Sequence, residues 1–388
     1  MKVAYVTPST FSTVNAGALR NFGIAVSLTL RGHAVVIITP DASQSAIDPG
    51  WFDLVGGRQI EITAGGTSAD GALGFGRVRR YLVGPTAMLS ARLDELAPDR
   101  VLAYNPGSFA FRRIRRASAA RRVPMLLDVS EWLGPRDLPG GRFGPFAATY
   151  AWHMRRLPGY GLASIAISEP LAGHLDRRGS RTLVVPPLFE FDEDPHHSGD
   201  AGAREVRLLV ISGGELRRAS KDALPVERII AAVELAGDDR PAIRLDVVGP
   251  IAPAFRAEIA RRLTGTPVEF HGRRSWEQTR ELTKLADFLV VLRDPGDRRM
   301  NVGFPSKVAE SLLLGTPVIA NSFSDLRRYL RDGDNALLLA STEPTEMLRT
   351  LQRATRFTDR ERIAAEAARI FAPAAHARAL DELLKAAE

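Results

Sequence analysis

The chain has 388 residues and a formal net charge of +7, with 45% hydrophobic residues, 25% charged residues and no cysteine. That length fits two or three domains with sizeable cores. Without cysteine there is no disulfide scaffold, thiolate nucleophile or thiolate metal site, while the basic balance calls for nucleic acid, anionic lipid or a phosphate-bearing substrate.

The start, "MKVAYVTPST", reads as a strand and not a secretory signal, since it holds one lysine and no export-length apolar run. No stretch approaches the roughly 20 apolar residues of a membrane span, so a soluble, cytoplasmic chain is expected. After "KVAYVTP" comes a small polar loop, "STFSTVNAG". The segment "ALRNFGIAVSLTLRGH" then carries Leu19, Phe22, Ile24, Val26 and Leu30 at helical spacing, with Gly32 at the expected C-cap. "AVVIITP" is the next strand. Strand, loop, helix and strand make a βαβ unit, and such apolar strands imply a parallel sheet covered on both faces. Further strands are expected at 100–106, 124–130, 163–168 and 181–187.

Residues 188–205, "LFEFDEDPHHSGDAGARE", are acidic and rich in turn formers and read as a linker. The pattern then restarts, with strands expected at 206–213, 243–249, 268–272, 287–293, 316–321 and 335–340, and a final helix at 374–388. The expected fold is therefore α/β: two Rossmann-like parallel-sheet domains, 1–187 and 206–373, with an inter-domain cleft. Ligands bind beyond the carboxyl ends of the strands in open sheets of this kind.

The loops after the strands carry the candidates. The first ends at Gly17, before a helix, and reads either as an anion-binding turn or as an ordinary βα connection. It holds no G-x-G-x-x-G, which counts against a nicotinamide or flavin enzyme. "SGGELRRASKD" places Gly213 and Gly214 before Arg217, Arg218 and Lys221, a set suited to a diphosphate. Gly249, Gly272 and Arg273 follow strands where a base or ribose would lie, and Arg293, at another strand end, is expected on the same nucleoside. His271 reads as a packed or hydrogen-bonded histidine rather than a catalyst. In "NVGFPSKVAESLLLGTPVIAN" a helix should begin near Pro305 or Ser306, putting Lys307 in its first turn and Glu310 on nearly the same face. A first-turn cation opposes the helix dipole unless an anion lies in front of it, so lysine for phosphate and glutamate for ribose describe a nucleotide-sugar site.

At these residues the chain resembles the GT-B glycosyltransferases of family 4, including polysaccharide-cluster members. The resemblance runs over nearly the whole length and is most specific in "ADFLVVLRD…NVGFPSKVAESLLLGTPVIANSFSDLRRYLRDGDNALLL". It implies that Glu310 binds the donor ribose, that Lys221 with Arg217 or Arg218 grips the donor diphosphate, and that Gly17 lies near the phosphates. Gly303, Phe304, Pro305 and Ser306 would line the donor sugar, and the last helix would cross back to the first domain. "LLDVSEWLGP" offers Asp128 and Glu131 to orient acceptor or sugar, Asp128 reading equally as a strand-end cap. Two positions depart from the family: Val302 stands where many members have a first glutamate, and Ser130 where many have a histidine.

The resemblance implies a retaining transfer from a nucleoside-diphosphate sugar, UDP-sugar favoured, to a hydroxyl acceptor. No cofactor or metal is called for, since cations and helix N-termini stabilise the leaving diphosphate and no D-x-D triad demands an ion. A catalytically inactive binding partner and a sugar-nucleotide epimerase remain as alternatives. The runs "FRRIRRASAARR" (111–122) and "MRRL" (154–157) suit either anionic lipid head groups or plain solvated faces, and nucleic acid is not expected.

Overall fold

The computed structural model describes residues 1–9, 15–40, 58–64, 86–135, 138, 140–176, 181–191, 205–220, 222–296, 302–354 and 359–387. The chain divides into two compact units. The first holds Met1–Glu190, Val302–Phe304 and Ala372–Glu388, and the second holds Phe191–Asn301 and Pro305–Phe371.

The first unit is a seven-stranded sheet ordered β3-β2-β1-β4-β5-β6-β7. Its strands are β1 (Lys2–Val6), β2 (Ala34–Thr39), β3 (Ile60–Ala64), β4 (Arg100–Tyr104), β5 (Met125–Val129), β6 (Ser164–Ala166) and β7 (Thr182–Val184). All neighbours pair in parallel. β1, β2, β4 and β5 are almost wholly buried, which is why their sequences run apolar without alternation. The sequence reading contains no strand at 60–64. β3 is a short edge strand of mostly half-exposed residues, so its apolar signal is weak.

Helix α1 (Ala16–Thr29) starts at Asn15, whose side chain accepts from the amides of Gly17 and Ala18. It ends at Leu30, and Gly32 makes the left-handed turn into β2 instead of the cap. The following helices are α2 (Leu89–Leu96), α3 (Ser108–Ala120), α4 (Pro145–Arg156) and α5 (Glu169–Leu175). The last helix of the chain, α12 (Pro373–Ala386), packs on α1. There His33 Nε2 meets Asp381 Oδ1 at 3.0 Å, and Arg100 Nε donates to the Leu384 carbonyl at 2.9 Å.

The second unit repeats the plan with six strands ordered β10-β9-β8-β11-β12-β13, again all parallel. They are β8 (Val206–Ile211), β9 (Ile243–Val248), β10 (Val268–Gly272), β11 (Phe288–Val291), β12 (Val318–Asn321) and β13 (Ala336–Leu339). The helices are α6 (Leu224–Ala236), α7 (Pro253–Arg262), α8 (Trp276–Leu285), α9 (Ser306–Leu313), α10 (Pro344–Arg353) and α11 (Arg360–Phe371). One core joins the sheet to α6, α7 and α10 through Leu208, Val226, Ile230, Leu245, Phe255, Val290 and Met347. The strand order reverses between β1 and β4 in one unit and between β8 and β11 in the other. Each reversal opens a crevice at the carboxyl ends of the strands.

One buried histidine ties this fold to pH. His153 on α4 donates from Nε2 to the Pro106 carbonyl at 3.1 Å, and burial pushes its pKa down to about 4. An unfolded histidine titrates near 6.5, so the unfolded chain takes the proton first. The stabilisation is complete above about pH 6.5 and is lost as pH falls toward 4, costing about 2 kcal/mol between pH 7 and 5. Urea unfolding followed at the first transition should show this slope, and His153→Gln should flatten it.

Candidate functional site

In the second unit the crevice lies at the β8–β11 reversal. Asp222, just before α6, is its centre. Its Oδ1 lies 3.0 Å from Arg293 Nη1 and 3.3 Å from Lys307 Nζ, and its Oδ2 accepts from Ser212 Oγ at 3.2 Å. Lys307 also donates to the carbonyl of Ile211, the last residue of β8, at 2.5 Å. Arg293 is anchored by its backbone, which exchanges hydrogen bonds with the Asn321 side chain at the end of β12. Two cations thus share one carboxylate across neighbouring strand ends.

α9 begins at Ser306 with Pro305 as its N-cap. Lys307 is in the first turn, and Glu310 follows one turn on. Glu310 Oε2 accepts from the Trp276 indole Nε1 at 3.0 Å. Burial raises the pKa of Glu310, while Trp276, Lys307, Arg280 and Ser306 each pull it back. Trp276 is itself held. It opens α8 behind a capping box of Ser275 and Gln278, and the Arg280 guanidinium lies over its ring at 4.8 Å. The same guanidinium covers the Phe191 ring at 4.4 Å. Phe191, Arg280 and Trp276 form a stack that fixes where the Glu310 carboxylate points.

The remaining candidates of this unit separate by environment. Gly214 and Arg217 are exposed on the loop after β8, where the Gly214 carbonyl accepts from Ser212 Oγ at 2.8 Å. Arg218 is turned onto Glu258 of α7. Lys221 lies outside the described residues. Arg273 is exposed beyond β10. Arg293, expected on the nucleoside, has its guanidinium buried against Asp222. The φ of Gly249 is +124°, and a Cβ there would lie 2.4 Å from the Ser212 carbonyl oxygen. The crossing of two strand ends therefore requires glycine there.

In "GFPS", Gly303 is half-exposed and Phe304 is buried, and both group with the first unit; Pro305 and Ser306 are half-exposed at the head of α9. Val302 groups with the first unit too, and its carbonyl accepts from Ser168 Oγ at 2.6 Å.

The first unit has its own charged crevice. Asp128, at the end of β5, is fully buried. It takes a salt bridge from Arg20 Nη2 at 2.7 Å and a short hydrogen bond from the Tyr5 hydroxyl. Arg20 Nη1 donates to the Val185 carbonyl at 2.9 Å. This corrects the assignment of Asp128 to acceptor or sugar, because both carboxylate oxygens are spent inside the core. Asp128 positions the strand end, and Glu131, three residues on, is the exposed carboxylate. Asn105, at φ +37°, clamps that segment: its Oδ1 accepts from Ser130 N at 2.8 Å and from Glu131 N at 3.4 Å. Ser130 Oγ lies 2.8 Å from the Tyr104 hydroxyl and accepts from Asn105 Nδ2 at 2.9 Å. Burial, with Glu131 and Asp128 adding to it, raises the Tyr104 pKa and keeps the phenol protonated. Gly17 sits below this cluster. A Cβ there would lie 2.4 Å from Ser9 Oγ and 3.2 Å from the Tyr104 hydroxyl, and its amide already donates to Asn15 Oδ1 at 2.9 Å.

Among the described residues, one trio has metal-like donors: Asp246, Glu269 and His271. It lies on β9 and β10. Asp246 is taken by Arg207 Nε at 2.5 Å and by His271 Nε2 at 2.7 Å, and Arg244 pairs with Glu269. Two guanidiniums beside the carboxylates oppose a cation there. His271 is thus a hydrogen-bonded histidine.

Residues 205–356 match the family model described as Glycosyl transferases group 1. No curated protein matches the chain in sequence. HepE from Anabaena, solved with UDP-glucose, is 16% identical over 99% of both chains, with a TM-score of 0.65. Sucrose-phosphate synthase from Thermosynechococcus elongatus is 15% identical, covering 99% of this chain and 98% of that one, with a TM-score of 0.68. WaaG, a glycosyltransferase involved in lipopolysaccharide biosynthesis, is 16% identical over 99% of this chain and 97% of its own, with a TM-score of 0.58. The fold is the GT-B fold of these proteins.

Sequence reasoning missed Asp222, Trp276, Arg280, Phe191, Tyr104 and Asn105. Only Trp276 left a trace, as the first residue after a capping serine. Its indole makes a hydrogen bond to a carboxylate, an interaction of about 1.5–3 kcal/mol. Trp276→Phe should therefore raise the Glu310 pKa further while keeping the ring stack. A carbon-13 NMR titration of the Glu310 carboxylate reads the shift directly, and an unmoved titration would mean the indole does not support that group.

Proposed function

We infer that this chain, a glycosyltransferase whose second unit is a group 1 glycosyl transferase domain, moves a sugar from a nucleoside-diphosphate sugar to a hydroxyl acceptor. The observation that carries this reading is the placement of Lys307 and Glu310 on the first turns of α9, at the β8–β11 reversal, with Glu310 fixed by the Trp276 indole. An ionised Glu310 accepts from the vicinal hydroxyls of a ribose. Lys307, Arg217 and Lys221 are the cations we assign to the diphosphate, together with the amides at the α9 N-terminus. The uridine nucleotide is the favoured donor, in keeping with the UDP-glucose bound by HepE.

In this reading the bond between the anomeric carbon and the phosphate oxygen breaks, and the electron pair leaves with the diphosphate. Fixed cations and helix amides stabilise the charge that develops there, so no metal and no other cofactor is called for. The acceptor oxygen attacks on the face the phosphate leaves, so the anomeric configuration is retained. Its proton passes to the departing phosphate oxygen. Glu131 is the carboxylate we assign to orienting acceptor or sugar, held by Asn105. Val302 supplies no carboxylate to the sugar, and this sets the enzyme apart from relatives with a glutamate there. We place the reaction in bacterial glycan or glycolipid synthesis on the cytoplasmic side of the membrane. Among the described residues no helix is long and apolar enough to cross a membrane.

The test is a thermal-shift screen with UDP, GDP, dTDP and their sugar conjugates. A nucleotide at 100 times its dissociation constant stabilises by about 2.7 kcal/mol, or several degrees for a protein of this size. Uridine nucleotides should give that shift, and Glu310→Ala and Lys307→Ala should each remove most of it. Binding should also weaken as pH falls through the raised pKa of Glu310, and Glu310→Gln should abolish that dependence. If no nucleotide shifts the wild type, the donor site is misread and an inactive binding partner takes its place.

A further inference from the structure

We propose that α3 and α4 of the first unit form a docking surface for an anionic lipid bilayer. The sequence has no Asp or Glu from residue 100 to 127 or from 138 to 168, so neither helix contains a carboxylate. The outward side of α3 is Phe109, Arg112, Arg113 and Arg116, at helical spacing. The outward side of α4 is Pro145, Ala148, Trp152, Arg155 and Arg156, with Phe143 just ahead of it. The two helices pack together, and buried Phe111, Ile114, Tyr150 and Met154 hold them to the core.

Three aromatic rings stand in solvent here. Phe143 is 97% exposed, Trp152 43% and Phe109 36%. A monomeric surface rarely leaves such side chains together without an interacting partner. The arginines meet rings instead of acids. Arg156 lies over Trp152 at 4.4 Å, Arg112 over the same ring at 5.7 Å, and Arg115 over Tyr160 at 4.9 Å. No carboxylate among the described residues pairs with these guanidiniums. Elsewhere the pattern is opposite: Arg121 grips Asp94, Arg262 grips Glu234, and Arg362 grips Asp334 and Glu366. Guanidiniums bind phosphate through paired donors, and an exposed tryptophan beside phenylalanines suits the boundary of head groups and acyl chains. Positive charge, missing acid and protruding rings together fit a leaflet of anionic phospholipid.

The surface stands on the first unit alone. That the acceptor is carried by lipid follows only if the sugar-transfer reading holds, and a protein that binds vesicles without binding UDP would separate the two. The experiment is co-sedimentation of the full chain with phosphatidylcholine vesicles, with or without about one-third phosphatidylglycerol. Binding is expected only with the anionic lipid, falling at least tenfold at about 0.5 M salt. Arg113→Gln with Arg116→Gln, Arg155→Gln and Arg156→Gln should weaken it at least tenfold while the melting temperature holds. Phe143→Ser with Trp152→Gln should weaken binding and abolish the blue shift of tryptophan emission on vesicles. Equal binding to neutral vesicles, undiminished binding by the arginine variant, or displacement by single-stranded RNA would each overturn the proposal.

Discussion

A buried charge must be matched, and each unit of this protein meets that constraint where its sheet reverses. Arg20 and Asp128 do so in the first unit, Arg293 and Asp222 in the second. Taking Arg20 or Asp128 away leaves a lone charge in the interior, at a cost of about 3–5 kcal/mol. The pairs therefore fix the strand ends around each crevice. Arg20 binds Asp128 of β5 and the Val185 carbonyl at once, so α1, β5 and the segment after β7 share one anchor. Arg293 likewise joins the end of β11 to Asn321 of β12 and to Asp222.

The second unit adds a cation to this scheme. Lys307 and Arg293 share one aspartate. A lysine in the first turn of a helix is disfavoured by the helix dipole, and here Asp222 and the Ile211 carbonyl hold it. Glu310 balances the opposite demand. Its carboxylate is desolvated, and the Trp276 indole with the nearby cations restores part of what burial takes.

Arginine has two uses in this chain, and geometry separates them. In the second unit, Arg262, Arg331 and Arg362 lie in pairs or networks with carboxylates, which contribute solubility and little energy. Among the described residues no carboxylate pairs with the guanidiniums of α3 and α4, and those of Arg112, Arg115 and Arg156 lie on aromatic faces. Composition alone does not distinguish these uses, because both read as basic runs.

The sequence by itself determined the strands that are buried on both faces, since continuous apolar runs identify them locally. It also determined the start of α9 at "FPSK" and the sharing of one helix face by Lys307 and Glu310, because proline position and helical spacing are short-range facts. β3 escaped because an edge strand buries too little to show in its residues. Tertiary structure alone decided what the charged groups do. Asp128 reads equally as a ligand-facing carboxylate and as a strand-end cap until Arg20, 108 residues away, and Tyr5, 123 away, close on it. The need for glycine at 249 shows only when the Ser212 carbonyl is seen beneath it. Trp276 lies 34 residues from Glu310 and Asp222 85 residues from Lys307. No local period reports such pairs, because they form only when parallel strands bring distant loops to one end of a sheet.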